Sequence, residues 1–562
     1  MPAWFGRRIT AAVLPLLLYS LTANAEIAPS QVPLQQMLVA GRQGTLPGVN
    51  MTRWDELQQL YEQRGWQLLW SDTQGEALVE RRRQLSAWIA LSYHHGLDPR
   101  DYGLGRLTLS EAALTSQAAP GLSSEALLND LLMSHAFMQL ALDLSGSRLD
   151  MSRIDPLWRL PPKTLDPIAL LQQLDQGLSV DQLLNGLLPA ADEYRRMVRL
   201  YRSLAGEAQQ DYQPPILPDG LLRVGDRRAE VAELRNWLIG EGLLNAADSS
   251  FEEADLYTAA VADAVRRYQQ QQGLKDDGIF GPDTRARMQL SPTDRLQQVR
   301  ANLMRWRALP QPLGERYLLV RTAAFNLDLV EQGQLVQRHA IISGRPGRPS
   351  LSFMAEVDRL ILNPPWTVPF RLAVEDLVPK QRRDPDYFAR LGIEVLERQD
   401  GQWRPIASHS VDWSAVNRGN FNYLLRQRPG PLNSLGQIRF GMANPHSIFL
   451  HDTPQQSLFE SPSRAFSSGC IRVQEIEQLA QILLGDESLE AAMSGEQTRY
   501  RALEASLPVY LVYLTAWVDE AGQAYYHPDI YGLDARLIDA LGAPPDMPVA
   551  EVVRLAQKLL KK

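Results

Sequence analysis

The sequence predicts a multidomain α+β protein, and three observations carry that expectation. The chain has 562 residues, too many for one hydrophobic core. Residues 26 to about 215 are rich in leucine and alanine with few β-branched runs, a helical composition. After residue 308 the apolar spacing changes to short alternating runs bounded by turn residues, the pattern of strands. The apolar fraction of 45% and charged fraction of 22% suit a soluble globular protein. A net charge of −8 argues against nucleic acid as the main partner.

The chain opens with Arg7 and Arg8, an apolar run AAVLPLLLYSL, and Ala23-Asn24-Ala25. A positive region, a short hydrophobic region and an A-x-A site form a cleavable secretion signal. The run falls short of the ~20 apolar residues a spanning helix needs. Residues 1–25 are therefore expected to be removed, placing the mature chain outside the cytoplasm.

Residues 26–215 are expected to form a helical scaffold. Ser123 to Leu144 has a broad apolar face and an N-cap serine. Asp166 to Leu188 and Ala191 to Leu204 read as further helices. His94, His95 and His135 lie here without metal-ligand spacing. The Pro-rich stretch Gln213 to Pro218 is a linker. In residues 219–292, Val231, Leu234 and Leu238 mark one helical face, and Ala260, Ala264, Val265 and Tyr268 another. Gly273-Leu274, Asp277-Gly278, Gly281 and Thr284 complete the pattern. This module resembles the small three-helix peptidoglycan-binding domain, with Asn245 to Glu253 as an insertion. Residues 293–308 read as a charged helical connector.

Residues 309–531 carry the strands: Arg316 to Arg321, Phe325 to Val330, Leu335 to Ser343 and Val357 to Asn363, with Pro508 to Trp517 closing the set against Ala524 to Tyr526. Residues 371–430 interrupt them with short helical, polar pieces at Glu375 to Lys380, Pro385 to Leu391 and Trp413 to Asn417. An insertion of this kind is a natural lid. Residues 532–562 read as a helical tail with a basic end.

The chemistry concentrates in His451 to Val473. This stretch holds the protein's one cysteine, Cys470, so no intrachain disulfide and no Cys-rich zinc site is available. An unpaired cysteine in an exported chain is either incidental or a functional thiol. Its setting, Ser467-Ser468-Gly469-Cys470, is a small-residue turn that exposes a sulfur and aims backbone N–H groups at one point. His451 follows the apolar run Ser447 to Leu450 and is the candidate base; His446 and His409 lie nearby in sequence, and His446, in a turn after Pro445, is expected to be solvated.

The same stretch resembles the signature of the L,D-transpeptidase catalytic domain (the YkuD family), in its large multidomain periplasmic branch. His451-Asp452-Thr453 stands for the His-Gly-Thr triplet and Ser467-Ser468-Gly469-Cys470-Ile471-Arg472 for the cysteine motif. Asp452 replaces a glycine and Ser468 a histidine. The resemblance implies a β-rich catalytic domain with a helical capping insertion. It implies Cys470 as nucleophile, His451 as general base and acid, and the Asp452 backbone carbonyl as the group orienting His451. Ser468, Gly469 and Cys470 would supply oxyanion-hole N–H groups; Arg472 and Trp366 would bind substrate. No cofactor is expected.

The implied reaction joins two meso-diaminopimelate residues of peptidoglycan by a 3→3 cross-link through a thioester, with peptidoglycan tetrapeptide stems and glycan strands as partners in the periplasm. Carbapenems would acylate the sulfur, and periplasmic cell-wall synthesis enzymes are candidate protein partners. An L,D-carboxypeptidase, an endopeptidase and a wall-binding scaffold remain open alternatives.

Overall fold

The structure is a computed structural model that describes residues 30–46, 51–71, 78–103, 123–246, 254–485, 489, 493–545, 552 and 554. The signal, most of the 245–253 insertion and the basic end of the tail lie outside the described residues. The chain divides into two units, residues 1–78 with 113–135, and residues 79–112 with 136–562.

In the first unit helices Gln31–Arg42 and Trp54–Gln63 gather around a buried acid. The Asp130 carboxylate accepts the Tyr61 hydroxyl at 2.6 Å and the backbone N–H groups of Leu69 and Trp70, each at 2.9 Å. A fully buried carboxylate is tolerated because its lone pairs are met.

In the second unit the stretch Asp166 to Leu188 is two short helices, Pro167–Gln172 and Val180–Asn185, rather than one. Asp166 and Ser179 each cap a separate helix start, and a turn through Gly177 separates them. The 219–292 module closes on its own core of Val231, Leu234, Leu238, Val261, Val265, Tyr268 and Phe280. Gly278 has φ +69°, and its N–H and C=O are met by Gln269 and Tyr257.

The charged stretch 293–308 is more than a connector. Helix Pro292–Ala308 is buried along most of its length, with arginines inside. Arg300 donates to carbonyls of Gly96, Leu541 and Gly542, Arg307 to the carbonyl of His95, and Arg305 to Asp534. Periodicity reads such residues as surface. Here their guanidinium groups satisfy carbonyls at the ends of neighbouring helices, including tail helix Asp534–Leu541.

The catalytic region is built on strands β1 (Arg316–Arg321), β2 (Asn326–Glu331), β3 (Gln334–Gly344) and β4 (Phe353–Leu362). Next come β5 (Trp366–Thr367), β6 (Ile393–Gln399), β7 (Gln402–Ile406) and β8 (Tyr423–Gln427). Then β9 (Ile438–Met442), β10 (Leu450–His451), β11 (Ala465–Ser467), β12 (Ile471–Val473), β13 (Arg499–Val512), β14 (Ala516–Val518) and β15 (Ala524–Tyr526) follow. The main sheet runs β11-β3-β12-β10-β9-β4-β13-β1-β2, and β2 also pairs with β3, closing the sheet on itself. Its inner face holds Leu318, Leu327, Leu360, Phe440, Leu450, Ile471 and Val509. Helix Ile476–Leu484 adds Leu479 and Leu483 to that core.

The capping insertion is not all helical. Helical turns run from Phe370 to Arg383 and Tyr387–Arg390, but the remainder forms a second sheet, β5-β8-β6-β7. Trp413 to Asn417 is a turn, held by Arg382 donating to the Trp413 carbonyl at 2.7 Å. The insertion has its own core, with Phe388, Val395, Trp413, Phe421 and Leu425 inside. Alternation in β6 is interrupted by Leu396, buried next to Val395, and β7 is exposed along most of its length, so neither reads as a half-buried strand.

Candidate active site

The site begins with two short parallel strands. Leu450 of β10 pairs with Ile471 of β12, and His451 with Arg472. Leu450 and Ile471 are fully buried in the inner core. Side chains alternate along a strand, so His451 and Arg472 face outward, and Cys470, just before Ile471, starts the strand on that same outer face. β9 adds Arg439 opposite His451. The pairings continue through Ile361 to Tyr500, giving one row Arg472, His451, Arg439, Ile361, Tyr500 across the sheet.

His451 is 5% exposed. Its Nδ1 lies 2.5 Å from the Asp452 carbonyl oxygen. A carbonyl only accepts, so Nδ1 carries the proton and Nε2 keeps its lone pair. The Asp452 side chain turns away and accepts the Gln437 backbone N–H at 2.9 Å. Burial pulls the imidazole pKa down to about 4, the Asp452 carbonyl opposes this, and the charges of Arg472 and Arg439 push it further down.

Cys470 is partly exposed, and its thiol donates to the Ser447 carbonyl at 3.6 Å. Burial raises its pKa, while the Phe449 backbone N–H and the charges of Arg472 and Arg439 act in the opposite sense. Near neutrality the pair therefore rests as thiol and neutral imidazole, so the proton moves when the sulfur attacks.

The nucleophile turn is set by Ser467. Its hydroxyl donates to the Cys470 carbonyl at 2.6 Å and accepts the Gly469 N–H at 3.0 Å. Gly469 sits at φ +117°, a conformation that favours glycine. This corrects one expectation: the Gly469 N–H is held by Ser467. The N–H groups of Ser468 and Cys470 make no hydrogen bond among the described residues and remain the oxyanion-hole candidates. A serine two residues before the glycine was the signal in the sequence; the competing bond needed coordinates.

Arg472 donates to Gln455 Oε1 at 2.8 Å, which ties β12 to the loop after His451. Trp366 lies on β5, opposite Gln427, and packs on the capping core. No hydrogen bond or ring contact joins it to Cys470 or His451. His446 is half-buried, its ring edge-on to Phe353 at 5.2 Å, rather than solvated. Arg348, unremarked in the sequence, links the nucleophile turn to the cap. It pairs with Glu375 and Asp376, each at 2.6 Å, and reaches Ser468 Oγ at 3.2 Å. Among the described residues no group of His, Cys, Asp and Glu could hold a metal.

A closed β sheet presenting a Cys–His pair beside unengaged N–H groups is suited to acyl transfer through a thiol. Residues 315–499 match the L,D-transpeptidase catalytic domain, residues 227–288 the "Putative peptidoglycan binding domain", and residues 55–200 the scaffold domain. The chain thus carries a YkuD L,D-transpeptidase catalytic domain and a peptidoglycan-binding domain, and its substrate is peptidoglycan. A Haemophilus influenzae protein named "Putative L,D-transpeptidase" is 29% identical over 381 residues, covering 66% of this chain and 70% of that one. An L,D-transpeptidase structure from Xylanimonas cellulosilytica is 14% identical, with TM-score 0.19, over 53% of this chain and 100% of that one. One from Stackebrandtia nassauensis is 10% identical, with TM-score 0.22, over 52% of this chain and 96% of that one.

Proposed function

We propose that this peptidoglycan L,D-transpeptidase works through a thioester on Cys470 and makes 3→3 cross-links. The observation that carries the reading is the His451 Nδ1 bond to the Asp452 carbonyl, which leaves Nε2 free on the sheet face shared with Cys470. Sγ attacks the carbonyl carbon between diaminopimelate and D-Ala of a tetrapeptide stem, and its proton passes to Nε2. The N–H groups of Ser468 and Cys470 hold the oxyanion. Collapse breaks the C–N bond, and Nε2 returns the proton to the leaving D-Ala amine. The side-chain amine of a second diaminopimelate then attacks the thioester. Its proton passes through Nε2 to the departing thiolate, restoring both groups.

The same reading places the mature chain, from Glu26, in the periplasm. There residues 219–292 hold glycan and the capping subdomain covers the donor stem. Arg472 supports the loop after His451, Trp366 lines the cap side of the donor path, and carbapenems acylate Cys470.

The test is D-Ala release from a disaccharide-tetrapeptide, with dimer and thioester followed by mass spectrometry. Cys470→Ser should abolish both products, because a hydroxyl is a much poorer nucleophile than a thiol. His451→Ala should lose ~10²–10⁴-fold. Full activity in Cys470→Ser would end the thioester reading. D-Ala release without dimer would make the enzyme an L,D-carboxypeptidase.

A further inference from the structure

We propose that Arg439 binds the terminal carboxylate of the donor stem, the one belonging to the leaving D-Ala. The assignment rests on the donor identified under Proposed function.

Arg439 stands on β9 directly opposite His451, so its side chain shares the outer face with the imidazole and with Cys470. Its guanidinium carbon lies 4.6 Å from the centre of the Phe449 ring, two residues before His451 on the same face. The stacking holds the planar group in place above the site. Among the described residues the guanidinium donates to no acceptor and pairs with no carboxylate, and its Nε is buried without a partner. Its neighbour in the row, Arg472, is engaged with Gln455. Arg348, Arg305 and Arg321, elsewhere in the chain, all hold carboxylates.

A half-buried guanidinium with unmet donors is costly unless an anion completes it. The anion must come from outside the protein, and the spacing suits the end of the donor. β12 and β9 are separated by one strand, so their backbones lie about 10 Å apart. One residue spans about 3.5 Å. The Cys470 and Arg439 side chains extend over the face between these strands, so the single residue beyond the scissile carbonyl brings its terminal carboxylate toward the guanidinium. Guanidinium forks match carboxylates in geometry as well as charge.

The full chain and its Arg439→Gln and Arg439→Lys variants are assayed with three donors. One is a disaccharide-tetrapeptide with a free terminal carboxylate, the second ends in D-alanine amide, and the third keeps the free end but is amidated on the diaminopimelate side chain. The native protein should prefer the free acid over the terminal amide by roughly 10–100-fold in kcat/KM. Arg439→Gln should lose that preference, bringing kcat/KM on the free acid to the level of the terminal amide. Arg439→Lys should recover part of the preference, and iodoacetamide should still alkylate Cys470 in all three proteins, as a folded site requires.

Persistence of the acid preference in Arg439→Gln overturns the assignment. So does an equal loss on all donors, or a loss that follows the diaminopimelate amide. Loss of alkylation in Arg439→Gln together with a native acid preference in Arg439→Lys overturns it too. If the native protein releases nothing from any donor, the transpeptidase reading falls first and the assignment falls with it.

Discussion

Ser467→Ala should damage this site more than Ser468→Ala, although Ser468 is the closer neighbour of Cys470. The Ser467 side chain is 4% exposed and bridges two backbone groups of the nucleophile turn, the Gly469 N–H and the Cys470 carbonyl. Alanine leaves both without their partner. A buried polar group stripped of its partner costs about 1–3 kcal/mol, so the pair is expected to cost about 2–4 kcal/mol, since Cys470 is partly exposed and water can reach its carbonyl. Ser468 is exposed, and among the described residues its hydroxyl's one hydrogen bond is from Arg348, at 3.2 Å. Losing that contact should cost less than ~1 kcal/mol.

Activity should follow the same order. A displacement of the order of 1 Å at a reacting atom costs on the order of 10²-fold, so Ser467→Ala should lose about that much D-Ala release. Ser468→Ala, which keeps its backbone N–H, should stay within a few-fold of native. Urea unfolding supplies the stability difference, and release of D-Ala from a disaccharide-tetrapeptide supplies the rate. A Ser467→Ala protein with native stability and native rate would refute the claim that this hydroxyl shapes the turn.

Because burial and two arginines hold the His451 pKa at about 4, the imidazole stays neutral and able to accept a proton well below its usual range. The acid limb of the kcat/KM profile should fall near pH 4 rather than near 6.5; a limb near 6.5 would contradict this. Arg472→Gln removes one of those charges, so the limb should move upward in pH. Gly436→Ala should destabilise the protein by ~1–3 kcal/mol and slow turnover. Gly436 is at φ +61°, and a Cβ there would overlap the Asp452 carboxylate beside the carbonyl that orients His451. Thermal melting and D-Ala release would show it, and a native-like protein would refute it. Deleting residues 219–292 should weaken co-sedimentation with purified sacculi; unchanged retention would make the module a spacer.

The order of segments was legible in the sequence because it depends on local signals. Apolar periodicity, turn residues and the Cys470 motif marked the three-helix module, the strands and the nucleophile without reference to distant partners. What failed to show depended on partners far away in the chain. The arginines of helix Pro292–Ala308 read as a solvated face until Gly96, His95 and Asp534 supplied their acceptors. The capping sheet was hidden because Leu396 breaks the alternation of β6 and β7 is exposed along most of its length. At the site, the motif named Cys470 and His451, but strand register decided what surrounds them. Arg439 gains its place only because β9 pairs with β10 at His451, and Gly469 loses its role because Ser467 folds back to its N–H. Sequence carries the identity of reactive groups and the local periods of the backbone. Which donors are free, which charges are met and which side chains share a face are set by pairings between segments, and only the tertiary structure holds those.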